Sequence, residues 1–273
     1  MVLLTALVIT VLAPAFHYHL FGEATRMARD AGLSSVFTCG TVIAIFGTIR
    51  AFRREVESGT MAMALAHPVS RAVFLLSKIG GACAAYLVFA AIVFFTALVI
   101  VDGAAIGGAF AAKSGDIARL YGPNFAEGVG VIVLPLVIGA VLNRFARFRF
   151  VLSSFVLALL LSIAFAGLSV SRDGAWFLRL LPVVALIGIF TVLLLSSSAA
   201  FAVRLKANAA ASAAGVVLLV LLPAIGNYYM AEALSKGGAV PWLYVGCAAL
   251  AALPAVLFFL LLGIHFINGR DVS

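Results

Sequence analysis

Charge is what this sequence has least of. Only 10% of its 273 residues are Asp, Glu, Lys or Arg, against about a quarter in a soluble globular chain. A soluble domain of this length is therefore excluded. Cysteine is sparse too: Cys39, Cys83 and Cys247 lie far apart, each inside an apolar run. That spacing reads as small membrane-buried side chains, not as a disulfide framework or a metal cluster. The sequence has no H-E-x-x-H and no G-x-S-x-G, so two recognisable catalytic arrangements have no support. It also has no phosphate-cradling G-x-x-x-x-G-K-[ST].

What is abundant is apolar length. Hydrophobic residues make up 65% of the chain, and they come in long uninterrupted runs. About 20 such residues cross roughly 30 Å of hydrocarbon as a helix. A barrel strand would instead alternate over about ten residues. The expected fold is an all-α, polytopic transmembrane helix bundle forming one membrane domain over 1–273. Eight candidate spans lie near 2–21, 32–50, 79–101, 127–142, 150–170, 178–203, 209–230 and 242–266. The first run ends in an Ala-x-Ala pattern but has no basic residue before it, so it reads as an uncleaved span and not as a signal peptide.

The net charge of +8 fits basic helix ends at a membrane surface, and no nucleic-acid partner is expected. With the N-terminus cytoplasmic, the inner connections and the C-terminal tail hold eleven Lys and Arg and the outer connections seven. That bias favours both termini inside. The fourth span is short and carries Pro135. If it did not cross, the three arginines of NRFARFR at 143–149 would move outside and weaken the bias. Small residues at four-residue spacing, such as Gly40 with Ala44 and Gly80 with Ala84, point to close helix packing, within or between chains. The outer connection at 102–126 has room for a short interfacial helix. Trp176, Trp242, Tyr18, Tyr228, Tyr229 and Tyr244 fall near the proposed outer ends, as an aromatic belt does.

One strip breaks the apolar pattern. Residues 50–78 hold seven charged side chains and include REVESGTMAMALAHPVSR. Thr60 is placed to cap a short helix that His67-Pro68 ends. Ser70 is placed as the N-cap of the next helix, running from Arg71 through Lys78 into the third span. The short helix TMAMALA carries no charge. Two readings stay open on physical grounds: it lies in the lipid interface, or it docks in a groove of a partner protein, where methionines suit a mobile contact.

The pattern E-x-E-x-G-T, then L-x-x-P-x-S-R, then Lys resembles the first cytoplasmic loop of the ABC-2 family of transporter permeases. Here it is Glu55, Glu57, Gly59, Thr60, Leu65, Pro68, Ser70, Arg71 and Lys78. The similarity is strongest over 50–90, and the C-terminal HFINGRDVS is similar to the family's usual ending. The resemblance implies a permease subunit, export being the family's rule, in the inner (cytoplasmic) membrane of a prokaryote. It implies a coupling loop over 51–78 whose Thr60–Ala66 segment, with Met61, Met63 and Leu65, docks on a separate ATP-binding subunit. Glu55 and Glu57 would orient the loop and pair with Arg53, Arg54 or Arg71. Arg71 and Lys78 would hold the third span at the headgroups. ATP and magnesium would sit on the partner subunit, with no cofactor bound by this chain and no catalysis by it. A second permease chain, identical or different, would complete the pathway.

Two features depart from the family pattern. Members commonly carry a basic amphipathic helix before the first span, whereas here Met1 adjoins that span. Members commonly have a six-span core, so 127–170 reads as an inserted hairpin. Two other function classes remain as alternatives. An ion-coupled secondary transporter would place acidic or basic residues in mid-membrane; no Asp or Glu falls at the centre of a span, since Asp102 and Glu127 lie at the ends. A membrane component serving copper-enzyme maturation would need metal ligands. His17 and His19 point to different faces of a helix, and His67 and His265 read as interfacial.

Overall fold

The computed structural model describes residues 1–12, 24–58, 70–114, 125–170, 175–225 and 240–269. Among the described residues every regular element is helical. In chain order they are α1 (Val2–Leu12), α2 (Ala24–Val42), a π-helical turn (Ile43–Gly47), α3 (Thr48–Glu57), α4 (Arg71–Ser114), α5 (Phe125–Ala146), α6 (Phe150–Val170), α7 (Ala175–Arg204), α8 (Ala207–Ile225) and α9 (Trp242–Asn268).

Among the described residues six stretches are long and apolar enough to cross a membrane: Arg26–Glu55, Arg71–Val101, Ala126–Ala146, Phe150–Leu168, Leu180–Arg204 and Trp242–Asn268. The protein is a multi-pass helical membrane protein. The first and seventh expected spans correspond to two shorter apolar helices, Val2–Leu12 and Ala207–Val220. The expected continuations at 13–21 and 226–230 lie outside the described residues.

The second and third spans are longer than their apolar runs. Helix begins at Ala24, not near 32, because the polar stretch ATRMARDAGLSS is helix-permissive and Arg26 pairs with Asp30 one turn on (3.9 Å). It continues through the π-helical turn into α3. Helix α4 runs on to Ser114, so the first part of the 102–126 connection is continuous with the third span and is not a separate element.

The chain divides into two compact units, Met1–Cys39 with Val88–Leu178, and Gly40–Leu87 with Arg179–Ser273. In the first, Val11, Ala28, Ile100 and Val101 form a buried core against which Val129 and Ile132 pack. Helices α5 and α6 make an antiparallel hairpin closed by residues 147–149. Helix α5 continues through Pro135, as membrane helices allow when neighbours satisfy the freed carbonyl. A Cβ on Gly139 would overlap the Ser154 Oγ, so the two helices approach closely here.

The second unit is built around Ile45, Ile49, Phe52, Phe74, Leu75, Ile79, Ala199, Ala202, Val203, Ala210, Ala214 and Ile267, all buried. These residues come from the π-helical turn, α3, the start of α4, the ends of α7 and α9, and α8. Gly40 lies against the Tyr86 ring, where a Cβ would collide with the ring atom Cε2. Tyr86 is 1% exposed. The expectation of close packing thus holds at Gly40. It does not hold within the chain at Gly80, whose missing side chain would point into open space.

Candidate functional site

The strip between the second and third spans is where sequence placed the functional residues, and its two flanks are well defined. Helix α3 is amphipathic: Ile49 and Phe52 are buried, while Arg50 and Arg54 are exposed. Arg53 Nη2 bonds Glu57 Oε1 at 2.9 Å, one helical turn apart. Thus Glu57 takes one of the expected arginines as its partner.

On the far side of the strip, the backbone N–H of Val73 donates to Ser70 Oγ at 3.3 Å, and that of Phe74 to the Ser70 carbonyl at 3.1 Å. Ser70 is the N-cap that the sequence predicts. Its hydroxyl satisfies one of the amide groups that a helix start leaves free.

Two ties were not visible in the sequence. Lys78 Nζ forms a salt bridge with Glu55 Oε1, joining α3 to α4 across 23 residues of chain. The expected arginine partner of Glu55 is replaced by this lysine, which also lies 5.7 Å from the centre of the Phe74 ring. The other tie involves Arg71. Its Nη1 donates to the carbonyl oxygens of Ile267 and Asn268, both at 3.1 Å. The last carbonyls of a helix have no partner within it and carry the negative end of its dipole. A guanidinium is therefore well suited to the end of α9. Arg71 was expected at the lipid headgroups; the structure sets it against the last helix.

Nearby, Arg204 at the end of α7 stacks over Phe266, 5.9 Å from the ring centre, and the backbone N–H of Gly269 closes α9 on the His265 carbonyl at 3.0 Å. Four helix ends therefore meet in one frame: the C-termini of α3, α7 and α9 and the N-terminus of α4. Arg53, Arg71, Lys78 and Arg204 lie there with Glu55 and Glu57.

Of the predicted site residues, the structure brings Glu55, Glu57, Arg71 and Lys78 into this frame. Gly59, Thr60, Met61, Met63, Leu65 and Pro68 lie outside the described residues, as do His17, His19 and His67. Among the described residues no group of three or more His, Cys, Asp or Glu side chains is placed to hold a metal ion. The chemistry of the frame is thus charge pairing and helix capping.

One charged residue in the first unit, Arg29, falls by hydropathy in the connection before the second span. Arg29 is 7% exposed, and its Nε bonds Asp30 Oδ1 at 2.9 Å. A buried cation needs a partner to offset lost hydration. The adjacent aspartate, placed inside a helix that begins eight residues before the apolar run, was the available signal.

No family model matches the chain, and no curated protein or solved structure is significantly similar to it.

Proposed function

We propose that this chain is the membrane-spanning subunit of an ATP-binding cassette exporter, with the strip over 51–78 as its coupling loop. It works as a dimer, with an identical or a different second chain, on two copies of a separate ATP-binding subunit. ATP and magnesium sit on that subunit. The membrane is the inner membrane of a prokaryote, and both termini face the cytoplasm.

One observation carries the reading: both flanks of the loop are tied to the ends of other helices. Glu55 and Lys78 join the two flanks to each other, and Arg71 joins the outgoing flank to the end of α9. A displacement applied to residues 59–69 would therefore be passed to α3, α4 and α9 together, and not absorbed in a slack connection. The uncharged segment TMAMALA at the centre of the loop supplies an apolar contact for the driving subunit. The concentration of Lys and Arg at this end agrees with a cytoplasmic placement. The spans would then rock between inward-open and outward-open states around a path for an apolar or amphipathic cargo.

The test is transport by the full chain with its ATP-binding partner. Gly59→Pro, Met61→Asp and Leu65→Asp are expected to abolish ATP-dependent transport while leaving membrane insertion intact. Unchanged transport by these variants would remove the coupling role.

A second reading is favoured by one observation, the buried Arg29 beside Asp30. Ionisable pairs within a membrane helix often serve ion-coupled carriers. Transport by the chain alone in ATP-free vesicles, driven by an ion gradient and lost in Arg29→Gln, would support that reading over the first.

A further inference from the structure

The turn that closes the α5–α6 hairpin has no part in the coupling frame, and its composition is unlike the rest of the chain. Residues 143–150 read NRFARFRF, and all eight are exposed. Phe145 is 83% and Phe148 60% exposed. Arg144, Arg147 and Arg149 alternate with Phe145, Phe148 and Phe150. The sequence has no Asp or Glu between Glu127 and Asp173, and among the described residues none of these three arginines forms an ion pair. Arg147 has a φ of 55°, a left-handed conformation that is uncommon for a residue with a side chain. It reverses the chain within three non-helical residues, so the arginines stay at the mouth of the hairpin.

We propose that this turn is a binding surface for the anionic headgroups of membrane phospholipids. Water alone would leave three phenylalanines solvated, and hydrocarbon alone would strip three guanidinium groups of their hydration. The headgroup layer satisfies both, with rings at the acyl boundary and guanidinium groups at the phosphates. Guanidinium binds phosphate oxygens in a bidentate manner. The neighbouring apolar surface identifies lipid, and not a protein, as the occupant. Val137 and Val141 on α5 and Val151 and Leu152 on α6 are all exposed, so the surface is lipid-facing up to the turn itself. Three uncompensated positive charges select an anionic headgroup over a zwitterionic one. The inference concerns the first unit only and stands whether or not the chain is driven by ATP.

The experiment places a tryptophan at the turn (Phe148→Trp, with Trp176 and Trp242 changed to Phe) in the full chain, reconstituted in mixed vesicles. Quenching by brominated phosphatidylglycerol is compared with quenching by brominated phosphatidylcholine at the same mole fraction. Enrichment of the anionic lipid by about fivefold or more is expected, the effect of roughly one basic residue at an anionic surface. It should fall towards unity in R144Q/R147Q/R149Q and in about 0.5 M salt, where charge is screened within about 4 Å. The corresponding Arg→Lys triple variant should keep most of it, and circular dichroism should show equal helix content in all three proteins. Equal quenching by both lipids, a preference unchanged in the Gln variant, or quenching by neither lipid would overturn the proposal. The last result would place the turn in water or against a protein.

Discussion

Arg71 donates from Nη1 to the carbonyl oxygens of Ile267 and Asn268, each at 3.1 Å, and so joins the start of one span to the end of another 196 residues along the chain. Ile267 is fully buried in the core of the second unit, which makes this a tie between two packed helices and not a loose surface contact. The end of α9 is thereby held to the N-terminus of α4.

Removing that tie is expected to loosen the end of α9. Arg71→Gln should lower the stability of the detergent-solubilised protein by about 1–2 kcal/mol, the range for a partly exposed hydrogen bond from a charged donor. Arg71→Lys should fall between, since an ammonium keeps the charge but offers a different donor geometry. Thermal unfolding followed by circular dichroism measures both. An unchanged midpoint in Arg71→Gln would show that the contact contributes nothing.

The Glu55–Lys78 pair should matter more for position than for stability. Its side chains are 26% and 39% exposed, and partly solvated pairs contribute about 0.2–1 kcal/mol. In a double-mutant cycle, Glu55→Lys and Lys78→Glu should each impair transport, and the two together should recover most of it. Stability should change little throughout. Failure of the swap to recover any function would show that the pair acts through other partners.

The α5–α6 hairpin depends on a close approach. Gly139→Ala puts a methyl where the Ser154 Oγ lies, and Ser154 is itself buried. A loss of about 1–3 kcal/mol is expected, as for other overpacked contacts. Ser154→Ala should relieve most of it, because the Oγ is what the new methyl meets first. Unfolding midpoints of the two single variants and the double variant test this.

Gly40 and Gly80 give a matched contrast. A Cβ at Gly40 would strike the Tyr86 ring, whereas at Gly80 it would meet nothing within 4 Å. Gly40→Ala should destabilise the fold. Gly80→Ala should be neutral or stabilising by about 0.5–1 kcal/mol, the difference in helix propensity. Opposite signs in the two unfolding midpoints are the expected outcome, and destabilisation at both would contradict the packing described.

The membrane class and most of the helices were legible in the sequence, because continuous apolar runs leave few alternatives. The run at 150–170 matches α6 (Phe150–Val170) residue for residue, since Arg147 and Arg149 mark one edge sharply. Helix ends with polar sequence were harder. Hydropathy alone cuts the second span near 32, yet Arg26 and Asp30 form a helical pair that carries the helix back to Ala24. The site shows the same division between local and distant. The Ser70 cap and the Arg53–Glu57 pair follow from spacing within one turn of helix. The partners of Glu55 and Arg71 do not, because they are 23 and 196 residues away and no local periodicity encodes such a contact. The fate of Gly80 is similar, for a small residue reads the same whether it faces a neighbouring helix or open space.

The proposed coupling role can be tested at one residue. A photocrosslinking amino acid at Met61, in the full chain expressed in its own host membrane, should form a covalent adduct with a polypeptide that carries a P-loop. The purified pair should hydrolyse ATP, and Met61→Asp should uncouple that hydrolysis from transport. An adduct with lipid alone, or a chain that moves cargo with no nucleotide-hydrolysing companion, would contradict the account.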